Sequence, residues 1–380
     1  MSYIVYSNLS SPNDILTKIA EYVTSKGYSV VDSAIDDLNV YDMSSSDGKK
    51  LVFKSRSSDY FYILRSANGT NIFGVTDEST MDLTTPDKKG TYNGIGVIVS
   101  EGYSRTVRWY NQGNIPKRYK DTKALGLFMP VAVKDDTGAP LGYTYTLYCN
   151  NITDTKGADT LVFSIVKEND TYRQSSHIVL GELSKYETWD GGAFFSASAT
   201  SDMMENSWKC FKHEKGADKE ILPVLSSGTA SNTFLRIDID DAPSEGRGKI
   251  VWASSRTDNV TGRKLSLPIR TGENKNGMIP NYWLLQSHSR LDVGRNINTL
   301  NCLTINFPIY FSVSRDPDSL GVFAATGQIY GVYFVNTLNM QTGFTYKLNY
   351  PSSTDICQVF PMGMRRGTYG YDGISIKQTT

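Results

Sequence analysis

The chain has 380 residues, of which 39% are hydrophobic and 21% charged; that composition excludes a disordered polymer and supplies ample material for packed cores. Lys+Arg and Asp+Glu balance at 39 each, a formal net charge of +0, so the basic excess of a chain that grips nucleic acid is missing. At about 150 residues per domain, two or three domains are expected.

The opening "MSYIVYSNLSSPND" lacks the basic and apolar regions of a signal peptide. No run of ~18 apolar residues occurs, so no membrane span is expected and folding in a cytosol is. In "SSPNDILTKIAEYVTSKGY" the spacing predicts a helix. Ser11 can cap it, Pro12 fits its first position and Asp14 suits its positive end. Ile15, Ile19, Tyr22 and Val23 form one apolar stripe, and Gly27 stands where a terminating glycine belongs. The runs "YSVVDS", "KLVFKS", "YFYILRS", "TNIFGV" and "GIGVIVS" read as strands. Asn68-Gly69 and Asp47-Gly48 read as hairpin turns, because both residue types tolerate positive φ. Residues 1–102 are therefore expected to form a small α+β domain, one helix on an antiparallel sheet.

The next stretch, "YSRTVRWYNQGNIPKRYKDTK", interleaves basic and aromatic side chains. Such mixtures bind single strands or anionic sugars, and they also suit protein interfaces. With a neutral chain the interface is favoured, with Arg105, Arg108, Trp109, Tyr110, Arg118 and Tyr119 as its candidate residues. Beyond it the pattern is almost entirely strand. "YTYTLYC" alternates, "TLVFSIV" is apolar on both faces and suits a central strand, and "LRIDIDD" alternates again. The longest alternation runs from Leu303 to Val313, where Pro308 implies an edge or a break. "FTYKLNY" alternates as well. For "GISIK" near the C-terminus two readings stand side by side, a last strand or part of an exposed arm. A boundary in "TGENKNG" divides two β domains, 103–271 and 272–380. The fold class is mainly β, the α+β domain being followed by antiparallel sandwich or barrel-like domains.

Candidate chemistry is sparse. In "GELSKYETWDGGAFF" the carboxylates Glu182, Glu187 and Asp190 lie close to Tyr186 and Trp189. They could serve as acid and base in a sugar-binding cleft, with Tyr186, Glu187, Trp189 and Asp190 as the glycan-binding candidates. The reading preferred is structural: Gly191-Gly192 permits a sharp reversal between "HIVLGEL" and "AFFSASA". Histidine occurs only as His177, His213 and His288, which disfavours acid–base and zinc chemistry. "CFKH" has no second pair to complete a metal site. Cys149, Cys210, Cys302 and Cys357 are far apart and read as buried thiols. "GIGVIVSEG" lacks the spacing of a dinucleotide loop. Asp238, Asp240 and Asp241 fall short of the oxygens calcium requires. No catalytic, cofactor-binding or metal residues are assigned, and no cofactor is expected.

Three stretches carry a family resemblance. They are "NDILTKIAEYVTSKGY…DGKKLVFKSRSSDYFYILRSANGTNIFG", "YTLYCNNIT…TLVFSIVKENDTYRQSSHIVLGEL…WDGGAFFSAS" and "GQIYGVYFVNTLNMQTGFTYKLNYPSSTDICQVFPMGMRRGTYGYDGISI". They resemble virion structural proteins of tailed, contractile-tailed bacteriophages. The resemblance implies a non-enzymatic tail, baseplate or neck component in the virion, assembled in the host cytoplasm. The implied partners are other virion proteins and further copies of the chain, a homo-oligomer, with no nucleic acid and no membrane span. The alternative is a tail-tip protein that binds a receptor or a host surface glycan. The resemblance brings no active-site residues.

Overall fold

The computed structural model describes residues 3–32, 48–70, 92–100, 102–106, 112, 125–130, 144–168, 175–186, 188, 191–199, 209–212, 232–239, 250–254, 278–280, 306–314, 323–336, 340–347, 355–361 and 372–378. In chain order these contain β1 (Tyr3–Leu9), α1 (Pro12–Ser25), β2 (Ser29–Asp32), β3 (Lys50–Lys54), β4 (Phe61–Thr70), β5 (Tyr92–Ser100) and β6 (Leu125–Pro130). There follow β7 (Tyr145–Thr153), β8 (Asp159–Lys167), β9 (Ser175–Glu182), β10 (Ser184–Lys185), β11 (Gly191–Ala199), β12 (Lys209–Lys212), β13 (Asn232–Ile239) and β14 (Ile250–Ser254). The last are β15 (Met278–Pro280), β16 (Phe307–Ser314), β17 (Phe323–Asn336), β18 (Phe344–Lys347), β19 (Ile356–Pro361) and β20 (Asp372–Gln378). Among the described residues the protein is mainly β with one N-terminal helix, as its patterning predicts. No helix among the described residues is long and apolar enough to cross a membrane.

Local chemistry accounts for both ends of α1. The Asp14 amide donates to Ser11 Oγ at 3.1 Å. In return, the Ser10 amide and hydroxyl donate to Asp14 Oδ2 at 3.1 and 2.7 Å, so the cap is reciprocal. At the other end Tyr28 N donates to Val23 O and Gly27 N to Thr24 O, with Gly27 at φ 77°. This is the left-handed glycine stop that satisfies the last carbonyls.

Among the described residues, three antiparallel sheets form layers. The first has the order β12-β6-β5-β4-β3-β2, the central one β1-β7-β8-β9-β11-β13-β14, and the third β15-β16-β17-β20-β19-β18 with β10 also on β17. The inner face of the first sheet (Leu51, Phe53, Tyr62, Leu64, Val97) packs with α1 against Leu147, Phe163 and Ile178 of the central sheet. Tyr22 of α1 meets Phe163 edge-on at 6.1 Å. The opposite face of the central sheet (Tyr148, Val162, Val166, Val179) packs on Ile329, Val332, Phe360 and Ile376 of the third. Alternate residues of β8 therefore enter two different cores, which explains why "TLVFSIV" is apolar throughout.

Several local expectations need correction. Asn68-Gly69 is not a hairpin turn: both residues lie inside β4, and the register with β5 shifts between Asn68 and Thr70. Glycine within a strand marks a bulge as readily as a turn. Of Asp47-Gly48, Asp47 lies outside the described residues, as do residues 71–75 of "TNIFGV" and all of "TGENKNG". At Pro308 the break is present, since the register with β17 shifts between Pro308 and Ile309. The "GISIK" segment is a strand and not an arm: β20 lies between β17 and β19. The expected boundaries also do not separate the sheets. β1 pairs with β7 and β5 with β6 across residue 102, and β10 pairs with β17 across residue 271.

Candidate functional site

The segment from Gly181 to Phe195 is a reversal between β9 and β11, paired in register from Ala193↔Glu182 to Ala199↔Ser176. Leu183 N donates to Gly192 O at 2.9 Å, closing the turn, and Gly192 has φ 100°. Between these strands the chain leaves the central sheet. Ser184 and Lys185 pair with Gln328 and Gly327 of the third sheet, so the connector ties two layers together.

Glu182 faces the other way. Its Oε1 accepts from the hydroxyls of Ser55, Ser57 and Ser58 at 2.6, 2.9 and 2.6 Å. A carboxylate holding three seryl hydroxyls from the β3–β4 loop is an anchor between layers. Tyr186 is 46% exposed at the end of the connector. Glu187, Trp189 and Asp190 lie outside the described residues.

The same β3–β4 loop supplies the densest polar cluster in the molecule's described part. Arg56 Nε and Nη2 donate to Asp159 Oδ2 and Oδ1 at 2.8 and 2.7 Å, a two-pronged pair. Arg56 also donates to Lys26 O and to Asn151 Oδ1, both at 2.9 Å. Its guanidinium stacks over Tyr28 at 4.7 Å. Burial pushes the Asp159 carboxyl up, but the Arg56 and Thr153 hydrogen bonds and the Arg56 charge outweigh it and hold the group below its usual range. Burial, with the nearby Asp159 charge, raises the Tyr28 hydroxyl and keeps it protonated as a donor to Asp159. Sequence reasoning missed this cluster, because "SRSSD" reads as an ordinary loop and its partner lies 103 residues away.

Of the basic-aromatic stretch, Arg105 is described. Its Nε is 3.2 Å from Asp32 Oδ2 while its side chain stays 59% exposed. Asp32 also accepts from Tyr103 and from Lys50, the latter at 3.1 Å with both side chains buried. Arg105 is thus tied into its own chain. Arg108, Trp109, Tyr110, Arg118 and Tyr119 lie outside the described residues.

His177 is the third polar feature. It is fully buried between the central and third sheets. Its Nδ1 and Nε2 share hydrogen bonds with Ser164 Oγ at 2.8 Å and Ser175 Oγ at 2.9 Å. Its ring meets Phe360 of the third sheet at 5.0 Å. Burial lowers its pKa to about 3, so the imidazole is neutral at ordinary pH. Cys149 and Cys357 are buried free thiols; burial raises Cys357 to about 11, far from a nucleophile's range. Among the described residues no group of three or more His, Cys, Asp or Glu side chains is placed to hold a metal ion. Chemically these clusters fasten strands and layers to one another.

Comparison with known proteins gave no family whose model matches the chain, and no curated protein matches it.

Proposed function

We propose that the chain is a non-enzymatic structural component of a bacteriophage virion, a tail or baseplate assembly protein that acts through subunit interfaces. One observation carries this reading beyond the sequence resemblance: the placement of exposed large apolar side chains. Among the described residues these are Val5, Val31, Tyr186, Phe344 and Ile356, at 40 to 49% exposure. Val5 lies on β1, Val31 on β2 and Phe344 on β18, and these strands end the order of the central, first and third sheets. Ile356 stands opposite Lys347 of β18.

Soluble monomers blunt their sheet edges with charge, proline or cover, because an edge strand is a template for pairing. Apolar side chains on outer strands suit strand addition or edge-to-edge packing with another chain. The partners fitting this surface are further copies, arranged in a closed ring, and neighbouring tail, baseplate or neck proteins. Obligate contacts of this kind bury roughly 2,000 Å² or more. In the alternative, a tail-tip protein that binds host glycan, the exposed ring of Tyr186 would be part of the stacking platform. The two readings part on one experiment. Deletion of the gene should leave malformed particles if the protein is an assembly part. Intact particles that fail to adsorb would favour the glycan-binding alternative.

A further inference from the structure

We infer that bound water bridges the central and third sheets at a buried polar site around Tyr3. Tyr3 and Asn150 are direct partners in the β1–β7 ladder. Tyr148 and Ile152, two residues to either side of Asn150, both enter the core against the third sheet, and Tyr3 packs on that same core. The Asn150 side chain therefore enters the seam between the layers, beside Tyr3. From the other side comes Gln358 of β19, whose Nε2 donates to Tyr3 Oη and to Gly343 O, both at 2.9 Å. Gln378 of β20 also acts on the Tyr3 hydroxyl.

Asn150 and Gln358 are both 0% exposed. Yet Asn150 Nδ2, Asn150 Oδ1 and Gln358 Oε1 are buried without a hydrogen-bond partner among the described residues. Native proteins satisfy nearly all such atoms, because an orphaned amide in an apolar seam keeps its full desolvation penalty. Three of them beside one tyrosine mark a place where a further group belongs. One amide donor and two carbonyl acceptors complement water, which can accept from the first and donate to the other two. The core against which Tyr3 packs includes Val162, Tyr148 and Ile376 and is apolar, which disfavours an ion. Burial pushes the Tyr3 hydroxyl up to about 12, so the phenol stays protonated. The bridge joins β1, the outer strand of the central sheet, to the middle of the third. It does not depend on the virion reading.

Asn150→Leu tests it by sign. With the amide hydrogen-bonded through water, the apolar replacement strands Gln358 and lowers the thermal unfolding midpoint by several degrees. With the amide orphaned, the same replacement relieves a buried polar group, and an unchanged or raised midpoint overturns the inference. Should the variant fail to fold, a high-resolution crystal structure of the wild-type full chain decides. Solvent density within hydrogen-bond distance of both Asn150 and Gln358 supports the bridge; amide groups packed only on carbon refute it.

Discussion

Arg56 reaches from the loop of the first sheet to Asp159 at the start of β8 in the central sheet, with two hydrogen bonds of 2.8 and 2.7 Å. Asp159 is 5% exposed and Arg56 34% exposed by side chain. Removal of Arg56 leaves a nearly buried carboxylate without its fork. Arg56→Ala is expected to destabilise the fold by about 2 kcal/mol; partial solvent access to the arginine keeps the loss below that of a fully buried pair. Arg56→Lys should recover little of it, because an ammonium cannot hold both oxygens in one plane. Urea unfolding of the three proteins measures this. Since the folded-state pKa of Asp159 is depressed, the pair's contribution is present above the unfolded carboxylate value and is lost as pH falls below it.

A second pH dependence comes from His177, in a higher window. Its folded-state value is about 3 against 6.5 for the free group. Between these values the unfolded chain binds a proton that the native chain refuses. Stability is therefore complete above pH 6.5 and declines as pH falls, by up to about 1.4 kcal/mol for each pH unit. Unfolding free energies measured from pH 7 to pH 4.5 should show this slope. His177→Asn should flatten it while lowering stability at pH 7, and an equal slope in both proteins would remove His177 as the cause.

Glycine positions separate steric need from mere permission. A Cβ at Gly181 would lie 2.1 Å from the backbone oxygen of Asp159, at φ 154°. At Gly157, φ is 88° but nothing lies within 4 Å. Gly157→Ala is expected to cost about 1 kcal/mol, the strain of the left-handed backbone alone. Gly181→Ala must push β8 and β9 apart beside the Arg56 anchor, at a cost above about 3 kcal/mol. Thermal unfolding of the two variants should rank them clearly in that order.

These contrasts indicate which parts of the molecule its sequence could disclose. Helix α1 was legible because Ser11, Pro12, the Ile15–Val23 stripe and Gly27 act within a few residues of one another. The two-faced burial of β8 was legible because Leu161, Val162, Phe163, Ile165 and Val166 break the polar alternation of a one-sided strand. The partner of β1 was not legible, since nothing in "YIVYSNL" states that its ladder lies at Tyr145–Thr153. The bulge at Asn68-Gly69 uses the same residues as a hairpin turn, and only the neighbouring strand distinguishes them. Glu182 was noticed for its carboxylate, but its three serine partners lie more than 120 residues away. Long-range pairing leaves no local periodicity to read.

The proposed role rests on outer strands that seek another chain. The measurement that tests this most directly is sedimentation velocity of the purified full-length protein over a range of micromolar concentrations, beside a Val5→Lys/Phe344→Lys variant. A discrete oligomer is expected for the native chain and a folded monomer, with little change in thermal midpoint, for the variant; Val5 and Phe344 are already 40% and 49% exposed, so lysine there should disturb little within the subunit. A native chain that sediments as a monomer throughout, or an oligomer indifferent to both lysines, would contradict it.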